Sequence, residues 1–333
     1  MRFTFILAIL AILHGVHSTA VQGPYDDNVI ERFQRKRDDA STAARLKCSF
    51  PTLEQSESKQ KRAFNEPFDS NRTLVARTMT LPPPNRNSKK AMDEFMRDEI
   101  VDVTQKLIWH RMVSGEPEHF DTAIYEEFKD HKSISIGTSG LCGCTVLVII
   151  SREAVYMAHY WENISFAPDE DWEKYYRRIG RDIFEESVVR GLRDGIGTKQ
   201  KKLKPGPFDN DHVQAYLMHP NAPADNFKPD EDRQVIFEEY YERRWNQIKE
   251  IVIEIIPAIG QPGRWIDLEY KALDKDSPLL DRTARGHILF KYDPDHRYTD
   301  ADGTEISQRK ATLWVEQNIK PKHDDTWDDE PLS

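Results

Sequence analysis

Two apolar runs near the middle of the chain dominate its hydrophobic pattern. CTVLVIIS (144–151) is apolar on both faces of an extended strand, and AVYMAHYW (154–161) follows it after a short polar break. Runs rich in β-branched and aromatic residues predict strands, and the short break predicts a hairpin between them. A strand that is apolar on both faces is typical of the centre of a sheet, so 144–151 is expected to be covered on both sides.

Helical and strand-like patterns are interspersed around this hairpin. Helices are predicted at 90–112, 119–130, 169–188 and 231–248. Further strands are predicted at 133–137, 212–218, 264–270, 286–292 and 311–316, while 251–256 fits either state. This order predicts an α+β fold, in which a largely antiparallel β-sheet or sandwich core carries the hairpin at its centre and helices flank it.

The two ends of the chain differ from this core in composition. Residues 1–20 combine an early arginine, a short apolar run and a small-residue cleavage pattern, which predicts a signal peptide and a secreted, extracellular protein. Residues 21–90 are polar with little apolar periodicity, which predicts a disordered leader or propeptide. A single mixed α/β domain is expected at 91–320, followed by an acidic tail at 321–333.

The charge balance argues against two classes of partner. The 333 residues carry a net charge of -10 at pH 7, whereas binding to nucleic acid or to a membrane surface needs a basic field. The basic run TKQKKLKP (198–205) is short and is interpreted as a solvated loop. No later apolar run is long enough for a membrane span, so none is expected.

Two sequons agree with the predicted export. Asn71 is the stronger candidate for glycosylation because it lies in a polar stretch. Asn163 is the second candidate, and it directly follows the strand that ends at Trp161.

The three cysteines cannot all pair within one chain. Cys142 and Cys144 are poor partners for each other, because alternate residues of a strand lie about 6.5–7 Å apart. The economical arrangement is a Cys48–Cys142 disulfide, with Cys144 left as a thiol. Cleavage after the dibasic pair that ends at Arg62 would detach Cys48 unless a disulfide held it, so the pairing stays open.

Hairpin pairing brings Cys144 close to His159. One turn position puts them directly opposite, and a turn one residue later makes them diagonal neighbours; in both, the side chains share a face. An imidazole beside a thiol favours the nucleophilic thiolate. Gly143 leaves room for a substrate, and backbone amides around it are candidates for an oxyanion hole. The acceptor that orients the imidazole is expected from a carbonyl of the 133–137 strand or, less favourably, from Glu162.

Two other interpretations compete with catalysis. A cysteine and a histidine on neighbouring strands are often a buried thiol and a satisfied core histidine. Cys142, Cys144 and His159 could also supply three metal ligands, but the C-x-C spacing is not the usual C-x-x-C clamp, so no metal site is predicted.

The stretch LCGCT (141–145), with His159 after it, resembles the L-S-G-C-T…H signature of the cytotoxic necrotizing factor deamidases. CheD-type receptor glutamine deamidases have a related Cys…His hairpin, and the pattern over 140–166 also resembles that of secreted fungal proteins. The chain differs at Cys142, where the family has Ser, which would allow Cys142 to act as a redox lock on the nucleophile.

The resemblance implies a sandwich core with Cys144 and His159 as the catalytic pair, framed by Gly143 and Thr145. It implies hydrolysis of a glutamine side chain of a protein substrate, such as a small GTPase, or transglutamination if an amine intercepts the thioester. No cofactor is implied, and use as a toxin or host-directed effector is compatible. The alternative is a non-catalytic secreted interaction protein with the same fold, which a disulfide through Cys144 would favour.

Overall fold

The hairpin lies at the centre of a five-stranded sheet. The structure, a computed structural model, describes residues 79–82, 88–103, 105–107, 112–113, 116–129, 132–168, 170–221, 241–299 and 302–328. The strand order of this first sheet is β4-β7-β6-β8-β9. Its strands are β4 (Thr122–Glu127), β6 (Thr145–Ile150), β7 (Ala154–Tyr160), β8 (Gln214–Pro220) and β9 (Trp265–Tyr270). All neighbours are antiparallel except β8 and β9, which are parallel.

A second five-stranded sheet has the order β1-β5-β10-β11-β12. Its strands are β1 (Gln105–Lys106), β5 (Ile134–Thr138), β10 (Ile288–Thr299), β11 (Glu305–Val315) and β12 (His323–Trp327). Only β1 and β5 run parallel within it. The short strands β2 (Met112–Val113) and β3 (Glu116–Pro117) form a separate antiparallel pair.

The inner faces of the two sheets share one buried core. Val148 and Met157 of the first sheet belong to the same apolar cluster as Ile136 and Phe290 of the second sheet. Alternate residues of each strand point to opposite faces, so the residues between them pack outwards. The predicted α+β fold with a largely antiparallel sandwich core and a central hairpin is confirmed, and β6 is buried along its whole length.

Helices cover the outer faces of the two sheets and also contribute Trp172, Tyr176 and Leu280 to the core between them. They are α1 (Lys89–Val101), α2 (Glu170–Ile179), α3 (Arg190–Asp194), α4 (Glu242–Ile255) and α5 (Pro278–Arg282), with π-helical segments at Glu162–Phe166 and Glu185–Val189. Ser88 caps α1 by accepting a hydrogen bond from the Ala91 amide, and Phe95 packs on Trp314 of the second sheet. Short 3₁₀ helices lie at Gly206–Phe208 and Pro257–Gly260.

Several predicted helices differ from the structure in type or in length. The segment predicted as a helix at 119–130 contains the edge strand β4, because pairing with β7 outweighs the helix propensity of its Ala and Glu residues. The helix predicted at 90–112 ends at Val101, and the one predicted at 169–188 is interrupted at Gly180, which has a positive φ. The ambiguous 251–256 run continues α4 almost to its end.

The acidic tail predicted at 321–333 begins with a strand. β12 pairs with β11, and Trp327 stacks with Tyr292 across the inner face, so this part of the chain belongs to the second sheet. Residues 1–78, which hold the predicted signal peptide and most of the predicted leader, lie outside the described residues.

Candidate functional site

The hairpin brings Cys144 and His159 to the same face of their sheet. Val146 pairs with His159, and Thr145 pairs with Tyr160. Cys144 comes two residues before Val146, so it is the diagonal neighbour of His159. This is the second of the two registers predicted above, and the shared face points into the core between the two sheets.

His159 is fixed by a hydrogen bond from the opposite sheet. Its Nδ1 lies 2.7 Å from Oγ1 of Thr138, while its Nε2 has no hydrogen-bond partner among the described residues. The ring stacks on Trp161 with 3.6 Å between the ring centroids. Burial lowers the pKa of His159 to about 3, so the imidazole is neutral at physiological pH.

The tautomer of His159 decides what this arrangement can do. When Nδ1–H donates to the Thr138 hydroxyl, Nε2 carries a lone pair on the side that has no other partner. Thr138 ends β5, directly after the strand that was expected to supply the orienting acceptor. The prediction that β5 supplies the partner of His159 is therefore confirmed, but the partner is the side-chain hydroxyl of Thr138 rather than a backbone carbonyl.

The two neighbouring cysteines differ in redox state. Cys142 is a free and buried thiol, and burial, followed by the nearby Glu162 carboxyl, raises its pKa well above the ordinary value. Cys144 is disulfide-bonded and fully buried. The predicted disulfide through Cys142, with Cys144 as the free thiol, is therefore wrong, because the oxidised cysteine of the pair is Cys144. Cys48 lies outside the described residues.

Tyr270 fixes the backbone of the cysteine loop, a role that no sequence signal indicated. Its hydroxyl donates to the carbonyl oxygen of Cys144 at 2.8 Å. Burial raises the pKa of Tyr270, and the backbone amide of Gly143 acts against this by facing the same hydroxyl. The Gly143 amide, expected to help form an oxyanion hole, thus points at Tyr270.

Glu162 does not orient His159. It lies in the π-helical segment, almost fully buried, and its Oε1 accepts a hydrogen bond of 2.9 Å from the hydroxyl of Tyr241, the residue directly before α4. Its other oxygen, Oε2, packs against Gly143, where an added Cβ would come within 2.0 Å of it. Burial raises the pKa of Glu162 to about 8. The less favoured prediction of an orienting role is corrected, because Thr138 takes that role.

Thr145 faces away from Cys144 and His159. Its Oγ1 accepts a hydrogen bond of 3.0 Å from Nε1 of Trp245, on the outer side of the first sheet. The alternation of a strand requires this, since Cys144 precedes Thr145 and the two side chains must point to opposite faces. Thr145 thus anchors the start of β6 to α4.

Asp121 positions the π-helical segment that carries Glu162. Its carboxylate accepts hydrogen bonds from the Trp161 amide at 2.8 Å and from the Ser165 hydroxyl at 2.7 Å. Burial raises the pKa of Asp121 to about 8, although both hydrogen bonds act in the other direction. Sequence reasoning missed this residue because it lay in a segment predicted to be helical.

The second predicted glycosylation site is incompatible with the fold. Asn163 is 4% exposed and Ser165 is fully buried, so a folded chain has no space for a glycan there. Asn71 lies outside the described residues.

Comparison of the chain with protein-family models, with curated proteins and with solved structures gives no match. Within the described ranges, no three His, Cys, Asp or Glu side chains are grouped so that they could hold a metal ion. No helix in the same ranges is long and apolar enough to cross a membrane.

Proposed function

We propose that the protein is a secreted Cys/His amidohydrolase, with Cys144 as nucleophile and His159 as base, and that it deamidates glutamine side chains of a protein substrate. One observation carries the proposal: on the face that it shares with Cys144, His159 has Nδ1 hydrogen-bonded to Thr138 and an Nε2 that has no partner in the described part of the chain. A base held through one nitrogen, with the other directed at a nucleophile, is the arrangement that nucleophilic catalysis needs.

Cys144 must first be released from its disulfide, because an oxidised sulfur is not a nucleophile. A small-molecule thiol would do this in two exchanges. Its thiolate attacks the sulfur bonded to Cys144 and expels the Cys144 thiolate, and a second thiol then resolves the mixed disulfide. The two electrons come from the two thiols, which leave as a disulfide. A protein with this site is therefore latent until it meets a reducing environment.

The reaction then follows acyl-transfer chemistry. The Cys144 thiolate attacks the side-chain carboxamide carbon, and the protonated imidazole of His159 donates its Nε2 proton to the departing ammonia. Water, deprotonated by the same nitrogen, hydrolyses the thioester to a carboxylic acid and restores the thiol. An amine in place of water would give transglutamination with the same residues.

The test is a search for Gln→Glu changes in candidate protein substrates, beginning with small GTPases. Reduced wild-type protein is incubated with each substrate, and the changes are mapped by mass spectrometry. We expect Cys144→Ser and His159→Ala to abolish them, and the matched control Cys142→Ser to retain them. Changes that persist in Cys144→Ser would refute the proposal.

A second candidate function is supported by the oxidised state of Cys144 and the full burial of His159, which together favour a non-catalytic secreted interaction protein. Iodoacetamide labelling at neutral pH separates the two. The amidohydrolase requires rapid labelling of Cys144 after mild reduction, and slower labelling in His159→Ala. Absence of labelling at Cys144 in the reduced, folded protein would favour the interaction protein.

A further inference from the structure

One carboxyl oxygen of Glu162 makes no hydrogen bond to the described residues, and it lies beside the loop that carries the proposed nucleophile. Its carboxyl group is buried, and Tyr241 occupies only Oε1. Oε2 has no hydrogen-bond partner among the described residues, and leaving a buried polar atom unpaired costs about 1–3 kcal/mol. Such an atom, fixed by packing at a defined place, is suited to contact a group that arrives with the substrate.

The direction of Oε2 is set by Gly143. An added Cβ at this residue would lie 2.0 Å from Oε2 and 2.8 Å from Oε1, so the carboxyl group fills the space that a side chain would take. Gly143 precedes Cys144 directly in the chain. The Glu162 carboxyl group therefore packs against the backbone of the residue that directly precedes Cys144.

The backbone donor expected here is engaged elsewhere. The Gly143 amide faces the hydroxyl of Tyr270, which donates its own proton to the Cys144 carbonyl. Tetrahedral intermediates of acyl transfer need hydrogen-bond donors for the oxygen that becomes negative. A protonated carboxyl group beside Gly143 would supply one.

We propose that Glu162, as a neutral carboxylic acid, donates its Oε2 proton in a hydrogen bond to the oxyanion that forms when Cys144 attacks the substrate amide. This assignment rests on the proposed function of Cys144 and His159. The proton stays on Glu162 throughout, so the step forms and breaks only the bonds already described. An ionised Glu162 would instead repel the oxyanion.

The surroundings of Glu162 hold it in the neutral form. Among the described residues, the titratable groups that face it are the Tyr241 hydroxyl at the start of α4, the Tyr270 hydroxyl from β9 and the Cys142 thiol from the loop. Asp121 binds the backbone amide of Trp161 before it and the side-chain hydroxyl of Ser165 after it. None of these is a cation. Burial accordingly raises the pKa of Glu162 to about 8, so the acid is protonated at neutral pH.

The test compares Glu162→Gln, which keeps an N–H donor in place of the acid, with Glu162→Met, which has similar size and no donor. The full-length reduced proteins are assayed for ammonia release from carbobenzoxy-glutaminyl-glycine and from any substrate identified by mass spectrometry, between pH 6 and 9.5. We expect the wild-type kcat to fall above about pH 8, and this fall to be absent in Glu162→Gln. Glu162→Met is expected to lose about 100-fold in kcat with little change in KM.

Two results would overturn the assignment of Glu162. One is equal kcat and an equal pH profile in Glu162→Met and Glu162→Gln, while Cys144→Ser is inactive. The other needs no turnover: the infrared band of protonated carboxylic acids at pH 7, to which Asp121 also contributes, must lose the contribution of one group in Glu162→Gln, and an unchanged band refutes a neutral Glu162. Turnover that survives in Cys144→Ser, or no turnover by the reduced wild type on any substrate, refutes the proposed function instead.

Discussion

At the scale of single residues, the site depends on contacts that hold each reacting group in one orientation. Thr138 holds the imidazole, Tyr270 holds the carbonyl of Cys144, and Gly143 leaves space for the Glu162 carboxyl. Each contact involves a residue that is distant in sequence from its partner or has no side chain. Sequence patterns indicated Cys144, His159 and their shared face, because these follow from strand alternation alone. They could not indicate Thr138 or Tyr270 as partners, since each lies on another strand.

The hydroxyl of Thr138 is expected to govern the reactivity of Cys144 through His159. Thr138→Val keeps the shape but leaves the buried Nδ1 unpaired, which should cost about 1–3 kcal/mol of unfolding free energy. It should also slow alkylation of Cys144 in the reduced protein, measured by peptide mapping after iodoacetamide treatment. Thr138→Ser is the control, and both properties should return towards wild type in it. Equal alkylation rates in Thr138→Val and wild type would contradict an orienting role.

Gly143 and Glu162 are expected to be energetically coupled. Gly143→Ala places a Cβ against the Glu162 carboxyl and should displace it from Tyr241, at a cost of about 1–3 kcal/mol in urea unfolding. In a Glu162→Ala background the same change should cost at least about 1 kcal/mol less, because the space is then empty. Strict additivity of the two substitutions would show that the Gly143 contact with Glu162 has no energetic role.

At the scale of elements, one short π-helical segment links the hairpin to its surroundings. Glu162–Phe166 follows β7 after Trp161, and Asp121 accepts hydrogen bonds from the Trp161 amide and the Ser165 hydroxyl. The strands of the sandwich were predicted well because their apolar runs are long. This segment and β4 were not, since their conformations depend on the buried Asp121 and on pairing with β7, which local propensity does not report.

The buried acids predict a loss of stability as the pH rises from about 4 to about 8. Asp121 and Glu162 have folded-state pKa values near 8, above their unfolded values near 4, so their favourable contribution is present at low pH and is lost as pH rises towards 8. His159, whose folded pKa is about 3, changes stability only below its unfolded pKa of about 6.5. From pH 6.5 to 8 the acids therefore dominate among these groups, and each contributes a fall of about 1.4 kcal/mol per pH unit.

Urea unfolding at several pH values between 6.5 and 8 measures this slope. Asp121→Asn, which mimics the neutral acid, should reduce it by the contribution of one group. Asp276→Asn, at a side chain that is 82% exposed, is the control and should leave it unchanged. A slope in Asp121→Asn that equals that of the wild type would mean that Asp121 is already ionised in the folded protein.

At the scale of the whole molecule, two sheets enclose one core, and an early and a late element of the described chain both pack with the second sheet. α1, near the start of the described chain, packs on the outer face of that sheet, and β12, near the end, completes its edge. The strand β12 was not predicted because the sequence around it is acidic. Its outward residues are Asp and Thr, and only its two end residues are buried. Composition reports solvent exposure, whereas backbone pairing with β11 decides the conformation.

Trp327 is expected to contribute substantially to stability although it lies in the predicted tail. Its ring stacks with Phe128 and Tyr292, and the guanidinium of Arg152 lies 5.7 Å from its ring centroid. Trp327→Ala should lower the free energy of unfolding by about 3–5 kcal/mol. The neighbouring exposed Asp328→Ala should change it by less than about 0.5 kcal/mol. Equal stability of the two variants in urea unfolding would place the tail outside the cooperative fold.

The Thr138–His159 hydrogen bond has a mechanical consequence, because its two ends belong to different sheets. Any sliding or opening of one sheet against the other must break it before the sheets themselves lose their internal pairing. The environment of the His159 imidazole therefore reports whether the two sheets are packed against each other. Under rising denaturant, the ring resonances of His159 should change no later than the circular dichroism of the strands.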